Sequence, residues 1–366
     1  MQDQKNEKRC FLPRYAIVLY AIAALALAVY LVAVISPTFA NWFQYYIGGA
    51  VRFLTVHLTA VLPISLAELL VFALPVIIVA VAVYAWRRHC DSWGDMFRYL
   101  LSVISVVSLL FSLFVFSFGT GHHTDSLDQR LGLDAAEVST EDLKATALLL
   151  AAKVNAAATE VTFREDGFSE MPYDLDTLNR HLLSAYESVS AQHPFISSLS
   201  VGVKPVLASK AMSYTHITGV YTYFTGEANI NTYFPDYTIP FTAAHEMAHQ
   251  RGIARENEAN FVAFLATAAS NDPYIRYTAY LNMYEYVANA LWSADKEAYY
   301  EVLKTLSPEV IGELRAYANF FEQFKDSVAA DISDAVNDTY LKVHGNAAGS
   351  ASYGLVVDLA VAYYKQ

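Results

Sequence analysis

Two cysteines in 366 residues, Cys10 and Cys90, cannot build a disulfide framework, and 15 glycines without periodicity exclude a collagen-like chain. Charge is scarce as well. Asp, Glu, Lys and Arg make up 16% of the chain against 55% hydrophobic residues, which excludes an intrinsically disordered protein. Basic residues are outnumbered by acidic ones, 24 to 36, and the net charge of −12 argues against nucleic acid as a partner, because phosphate binding needs basic surface. The chain carries no Gly-rich phosphate loop, no Ser-His-Asp signature and no cysteine cluster with metal-ligand spacing. It also has no internal repeat.

The mean hydropathy of +0.28 instead places the chain among membrane proteins. Uncharged apolar segments at residues 15–35, 69–86 and 99–118 are each long enough to cross the roughly 30 Å of bilayer hydrocarbon as helices rising 1.5 Å per residue. Pro75 inside the second is tolerable as a kink in a packed membrane helix. The first is too long for a signal peptide and reads as an anchor. Lys5, Lys8, Arg9 and Arg14 precede the first span and Arg87, Arg88 and Arg98 lie between the second and third, whereas residues 36–67 contain only Arg52. By the positive-inside rule the N-terminus is cytoplasmic and everything after Phe118 is extracytoplasmic. Residues 36–67, with Trp42, Phe43, Tyr45, Tyr46 and Phe53, read as an interfacial outer loop; a buried helix or a re-entrant hairpin around Gly48-Gly49 is the alternative.

These features divide the chain into a membrane domain, 1–118, with a charge balance of +3, and an extracytoplasmic domain, 119–366, with a balance of −15. Helical patterns fill 141–159, 176–192, 254–269, 274–294, 296–306, 308–324 and 353–364, while the β-branched and aromatic stretch 201–231 reads as two or three short strands. The expected fold is a mainly α membrane protein: three transmembrane helices followed by an α+β domain with a small sheet and many helices. The lipid bilayer is one partner that composition implies.

The sharpest chemical signal is Ala244-His245-Glu246-Met247-Ala248-His249-Gln250-Arg251-Gly252. Two histidines four apart share one face of a helix and can converge on a single metal ion. Glu246, beside the first of them, is placed to act as base toward a water held at that ion. Gly252 is a natural helix stop, after which Arg255-Glu256-Asn257-Glu258-Ala259-Asn260 opens a second helix. Glu256 and Asn260 lie one turn apart, so Glu256 is a candidate third ligand and Asn260 a candidate hydrogen-bond partner of a ligand histidine. Glu258 remains the competing ligand.

The His-Glu-x-x-His motif followed by Glu-x-x-Ala-Asn resembles the Glu-zincin metallopeptidases. The chain as a whole resembles the bacterial membrane family known as domain of unknown function 3810, through Leu62-Pro63-Ile64-Ser65, Thr225 to Asn231, Pro240 to Phe261, Tyr340-Leu341-Lys342 and Ser352-Tyr353-Gly354. The resemblance implies a zincin-like domain holding one Zn2+ per chain and a hydrolase acting on an extracytoplasmic peptide or protein. It also implies an edge strand over 225–231, with Glu227 and Asn229 facing the cleft, and Tyr353 or His344 as donors to a developing oxyanion. His249 and Glu256 are closer in sequence than the corresponding ligands of most Glu-zincins, which keeps Glu258 open. The contrasting expectation is a membrane sensor or scaffold with a structural or ligand-binding zinc site. Catalysis inside the membrane is not expected, since His245 lies far along the chain from the last apolar segment.

Overall fold

A computed structural model describes residues 11–89, 92–134, 138–343 and 354–365. The three apolar segments form α1 (Arg14–Ile35), α4 (Leu66–His89) and α5 (Trp93–Ser117), each long and apolar enough to cross a membrane. Nearly all their large side chains face outward, as lipid-facing helices require. Helices α1 and α5 meet through small residues: Ala16, Ala26 and Ala33 on one, Ser102, Ser105 and Ser112 on the other. The serine hydroxyls donate back to carbonyls three or four residues earlier, so none is left unsatisfied in an apolar setting.

Between α1 and α4 the chain is helical. Ser36 accepts a hydrogen bond from the Phe39 N–H and starts α2 (Pro37–Phe43), a single π-turn covers Gln44–Gly48, and α3 (Gly49–Ala60) follows. One side of this segment buries Gln44 and Arg52 against the rest of the protein, while Trp42, Tyr46, Phe53, Leu54 and Leu58 stand exposed on the other. The segment is thus helical, with one part buried, as the alternative of a buried helix expected.

Short helix α6 (Leu127–Leu131) leads into α7 (Thr140–Ala158), whose Ser139–Asp142 capping box satisfies its first turn, and α8 (Leu175–Gln192), capped by Asp174. Then β1 (Lys204–Pro205), α9 (Ser209–Met212), β2 (Gly219–Thr222) and β3 (Glu227–Ile230) form a three-stranded sheet. Its order is β1-β3-β2, with β3 parallel to β1 and antiparallel to β2. The remainder is helical: α10 (Thr238–Gln250), α11 (Glu256–Ala268), α12 (Pro273–Ala294), α13 (Lys296–Leu303), α14 (Pro308–Phe321), α15 (Val328–Val343) and α16 (Leu355–Lys365). Helix α10 is central. The sheet covers one side and α11, α12 and α8 the others, so Ala243, Ala244, Met247 and Ala248 are fully buried.

Two expectations for 225–231 are corrected. The edge strand beside α10 is β2; β3 is the middle strand, with both backbone sides occupied. Glu227 does not face a cleft. Its carboxylate accepts the Leu66 and Ala67 N–H groups at 2.9 and 2.8 Å, capping the N-terminus of α4, and pairs with Lys204 Nζ at 2.7 Å. A buried anion at a helix N-terminus satisfies donors that the helix cannot satisfy itself. Asn229 is likewise internal, donating to the Val220 and Glu227 carbonyls.

Because Glu227 ties α4 to the sheet, Glu227→Ala strands two N–H groups and removes the counter-ion of Lys204, whose ammonium keeps the Thr59 and Ile64 carbonyls as acceptors. Loss of one partner from such a pair costs about 3–5 kcal/mol. The variant should show a markedly lower unfolding temperature in detergent; an unchanged temperature would contradict this account of the α4 cap.

Candidate metal centre

The site starts from the way α10 ends. Gly252 takes φ +98°, a left-handed conformation open mainly to glycine. The Gly252 N–H donates to the His249 carbonyl at 2.9 Å and the Ile253 N–H to the Ala248 carbonyl at 3.1 Å, the paired bonds of a Schellman turn. This reversal brings the Ile253 carbonyl under the His249 ring, where it accepts from Nδ1 at 2.7 Å. With Nδ1 committed as donor, Nε2 of His249 is the ring atom that faces Glu256, and its lone pair becomes available to a cation once its proton leaves.

The same reversal starts α11 with Glu256 facing back toward α10. Its Oε2 lies 3.2 Å from His245 Nε2 and its Oε1 3.5 Å from His249 Nε2, and the three ligand atoms of His245, His249 and Glu256 lie within 4.8 Å of one another. Neighbouring ligand atoms of a tetrahedral zinc ion with bonds near 2.1 Å are about 3.4 Å apart. Two imidazole nitrogens and a carboxylate at these separations therefore fit a zinc-like cation.

Burial alone would raise the Glu256 carboxyl, but the neighbouring His249 charge and hydrogen bonds from both histidines hold it well below the ordinary carboxylate value. Burial opposes charge on His249, yet its pairing with Glu256 raises it to about 9. The cluster is thus built around opposite charges, with His249 buried and His245 and Glu256 half-buried.

Glu258 is not a ligand. It is buried facing the other way, accepting from the Leu127 N–H at 2.9 Å, Arg130 Nη2 at 2.8 Å and Arg255 Nη1 at 2.6 Å. The expected bond from Asn260 to a ligand histidine does not form: Asn260 Nδ2 and His245 Nδ1 are both buried without a partner. Tyr353 and His344 lie outside the described residues.

Glu246 is buried next to the ligands without belonging to them. Desolvation raises its pKa, against the pull of His245 and His249, and its carboxylate accepts the Tyr221 backbone N–H from β2. Gly219 allows this approach, since a Cβ there would meet Glu246 Oε1 at 2.6 Å and Thr242 Cγ2 at 2.9 Å. Four further groups complete the surroundings. The Phe118 ring lies edge-on to His249 with centroids 5.6 Å apart, and Tyr221 stacks near the same imidazole. Gln44 donates to the Gly252 carbonyl at 3.3 Å. Arg52, fully buried, donates to the Ser117 and Gln44 carbonyls and to Ser197 Oγ, with its guanidinium against Gly252. A lone arginine in the otherwise uncharged stretch 36–67 was the available sequence signal for that last contact.

The family model described as protein of unknown function (DUF3810) matches residues 43–361. The chain belongs to that family. No curated protein and no solved structure matches it. The matched range covers Gln44, α3, the second and third apolar helices and the His245, His249 and Glu256 group together.

The divergent surroundings of the two glutamates separate their variants. In the full-length protein Glu256→Gln should lose bound zinc, measured by elemental mass spectrometry, whereas Glu258→Gln should keep it while unfolding at a lower temperature. Retained zinc in Glu256→Gln with loss in Glu258→Gln would reverse the ligand assignment.

Proposed function

We propose that the protein is a membrane-anchored zinc-dependent hydrolase, a peptidase whose metal is held by His245, His249 and Glu256. The observation that carries this reading is Glu246: a buried carboxylate beside the donor set, outside it, and kept available at the edge of β2. A purely structural or ligand-sensing site has no need of such a base. When bound, zinc would supply Lewis-acid polarisation of the scissile carbonyl and make water easier to deprotonate.

The chain's own residues then divide the work. Glu246 takes a proton from the attacking water as its oxygen bonds to the carbonyl carbon, and returns that proton to the leaving nitrogen as the C–N bond breaks. The products are a carboxylic acid and an amine. The raised pKa of Glu246 suits both proton transfers, since a base that gives up its proton late must not be too weak. The edge strand β2, lying along Glu246, offers backbone groups for aligning an extended peptide. The distribution of basic residues supports an N-terminus in the cytoplasm and the helical domain outside.

Glu246→Gln should keep zinc and lose hydrolysis of a labelled peptide mixture by about 100-fold or more, the usual scale for a general base. Gly219→Ala, which crowds the same carboxylate, should reduce turnover with metal content unchanged. Full activity in Glu246→Gln would overturn the mechanism.

A further inference from the structure

Although His245 is 128 residues past the end of α5 in sequence, the fold brings α10 back against the end of that apolar helix. The uncharged stretch Tyr99–Ser117 is about 28 Å long as a helix, close to the hydrocarbon thickness of roughly 30 Å. Phe118, the next residue, is the one whose ring lies 5.6 Å from the His249 ring. The metal centre therefore sits within about 10 Å of the hydrocarbon edge, at the level of the lipid headgroups.

Every other attachment agrees with this depth. The segment joining β2 to β3 rests on the ends of the membrane helices: Ser117 Oγ donates to the Tyr223 carbonyl and Phe114 packs on the Tyr223 ring. Thr59 Oγ1 donates to the Thr225 carbonyl at 3.0 Å, and Glu227 caps α4. Near the end of α1, Tyr30 packs against His123 in the 3-10 turn that continues from Phe118. The C-terminal ends of α1 and α5 and the N-terminal end of α4 thus meet one side of the domain, and α2 and α3, with Trp42, Tyr46 and Phe53 exposed, join the ends of α1 and α4. The β2 edge and Glu246 open beside this layer because Tyr221 packs on Phe118 at 5.3 Å.

We infer that the substrate is a membrane-anchored polypeptide, cut in the juxtamembrane segment on the membrane face that carries the helical domain. This rests on the hydrolase reading above and adds where the scissile bond must lie. A chain emerging from the bilayer presents extended backbone to β2 at the depth of the metal centre, and confinement to the same membrane raises its effective concentration. A soluble peptide gains neither advantage and must approach a site flanked by lipid.

The test uses the full-length, zinc-loaded protein in phosphatidylcholine vesicles and two probes sharing one randomised segment of about ten residues. In one, the segment follows a polyleucine span; in the other it is a free peptide. Cleavage of the anchored probe should be at least ~10-fold faster, with cuts within roughly eight residues of the span, given about 3.3–3.6 Å per extended residue. Equal cleavage of the free peptide, or cuts far from the span, would overturn the juxtamembrane assignment and leave the hydrolase reading standing. Cleavage of neither probe overturns both.

A second readout needs no activity. With Cys10→Ser and Cys90→Ser, a bimane label on Val220→Cys, an exposed position of β2, should be strongly quenched by headgroup nitroxide lipid. An unquenched label would remove the site from the headgroup layer whatever the probes do.

Discussion

A single chain reversal at Gly252 determines how the two halves of the candidate metal centre face each other. The left-handed glycine closes α10 with a Schellman pair of hydrogen bonds, and the carbonyl it delivers fixes His249 with Nε2 turned toward Glu256. It then aims the first turn of α11 so that Glu256 meets both imidazoles. A Cβ at Gly252 would not only strain φ but also meet the Arg52 guanidinium at 2.5 Å. Arg52 in turn holds the last carbonyl of α5, so the turn that brings the candidate ligands together is wedged against the end of an apolar helix long enough to cross a membrane. The candidate ligands and the end of α5 are parts of one packing unit.

Burial gives that unit its chemistry. The Glu256 carboxylate and the His249 imidazole each favour the other's charged form, and a cation placed among the three side chains would take the place of the His249 proton. Glu246, more deeply buried than Glu256 and facing the edge strand, is pushed the other way and favours its proton more than an exposed carboxylate does. Two glutamates ten residues apart thus acquire opposite tendencies from their neighbours, as separate ligand and base roles require.

The parts of this account that were legible in the sequence are those set by local periodicity. The three apolar helices, the His-x-x-x-His face, the stop at Gly252 and the short strands all follow from spacing within one element. What the spacing left open depended on residues far away. Glu256 and Glu258 both suit the first turn of a helix, and only Leu127, Arg130 and Arg255 claim Glu258 for structure. Glu227 looked like a cleft residue because its strand precedes α10, but α4, some 160 positions earlier, needs its carboxylate as a cap. The contact of His249 with Phe118, at the end of the third apolar helix, was hidden for the same reason, since it exists only in the tertiary fold.

X-ray absorption at the zinc edge of the purified full-length protein tests the centre most directly. The account predicts a first shell of nitrogen and oxygen near 2.0–2.1 Å, multiple-scattering features of two imidazoles, and no sulfur. A sulfur shell near 2.3 Å, or imidazole scattering unchanged in a His249→Ala protein that still holds zinc, would contradict it.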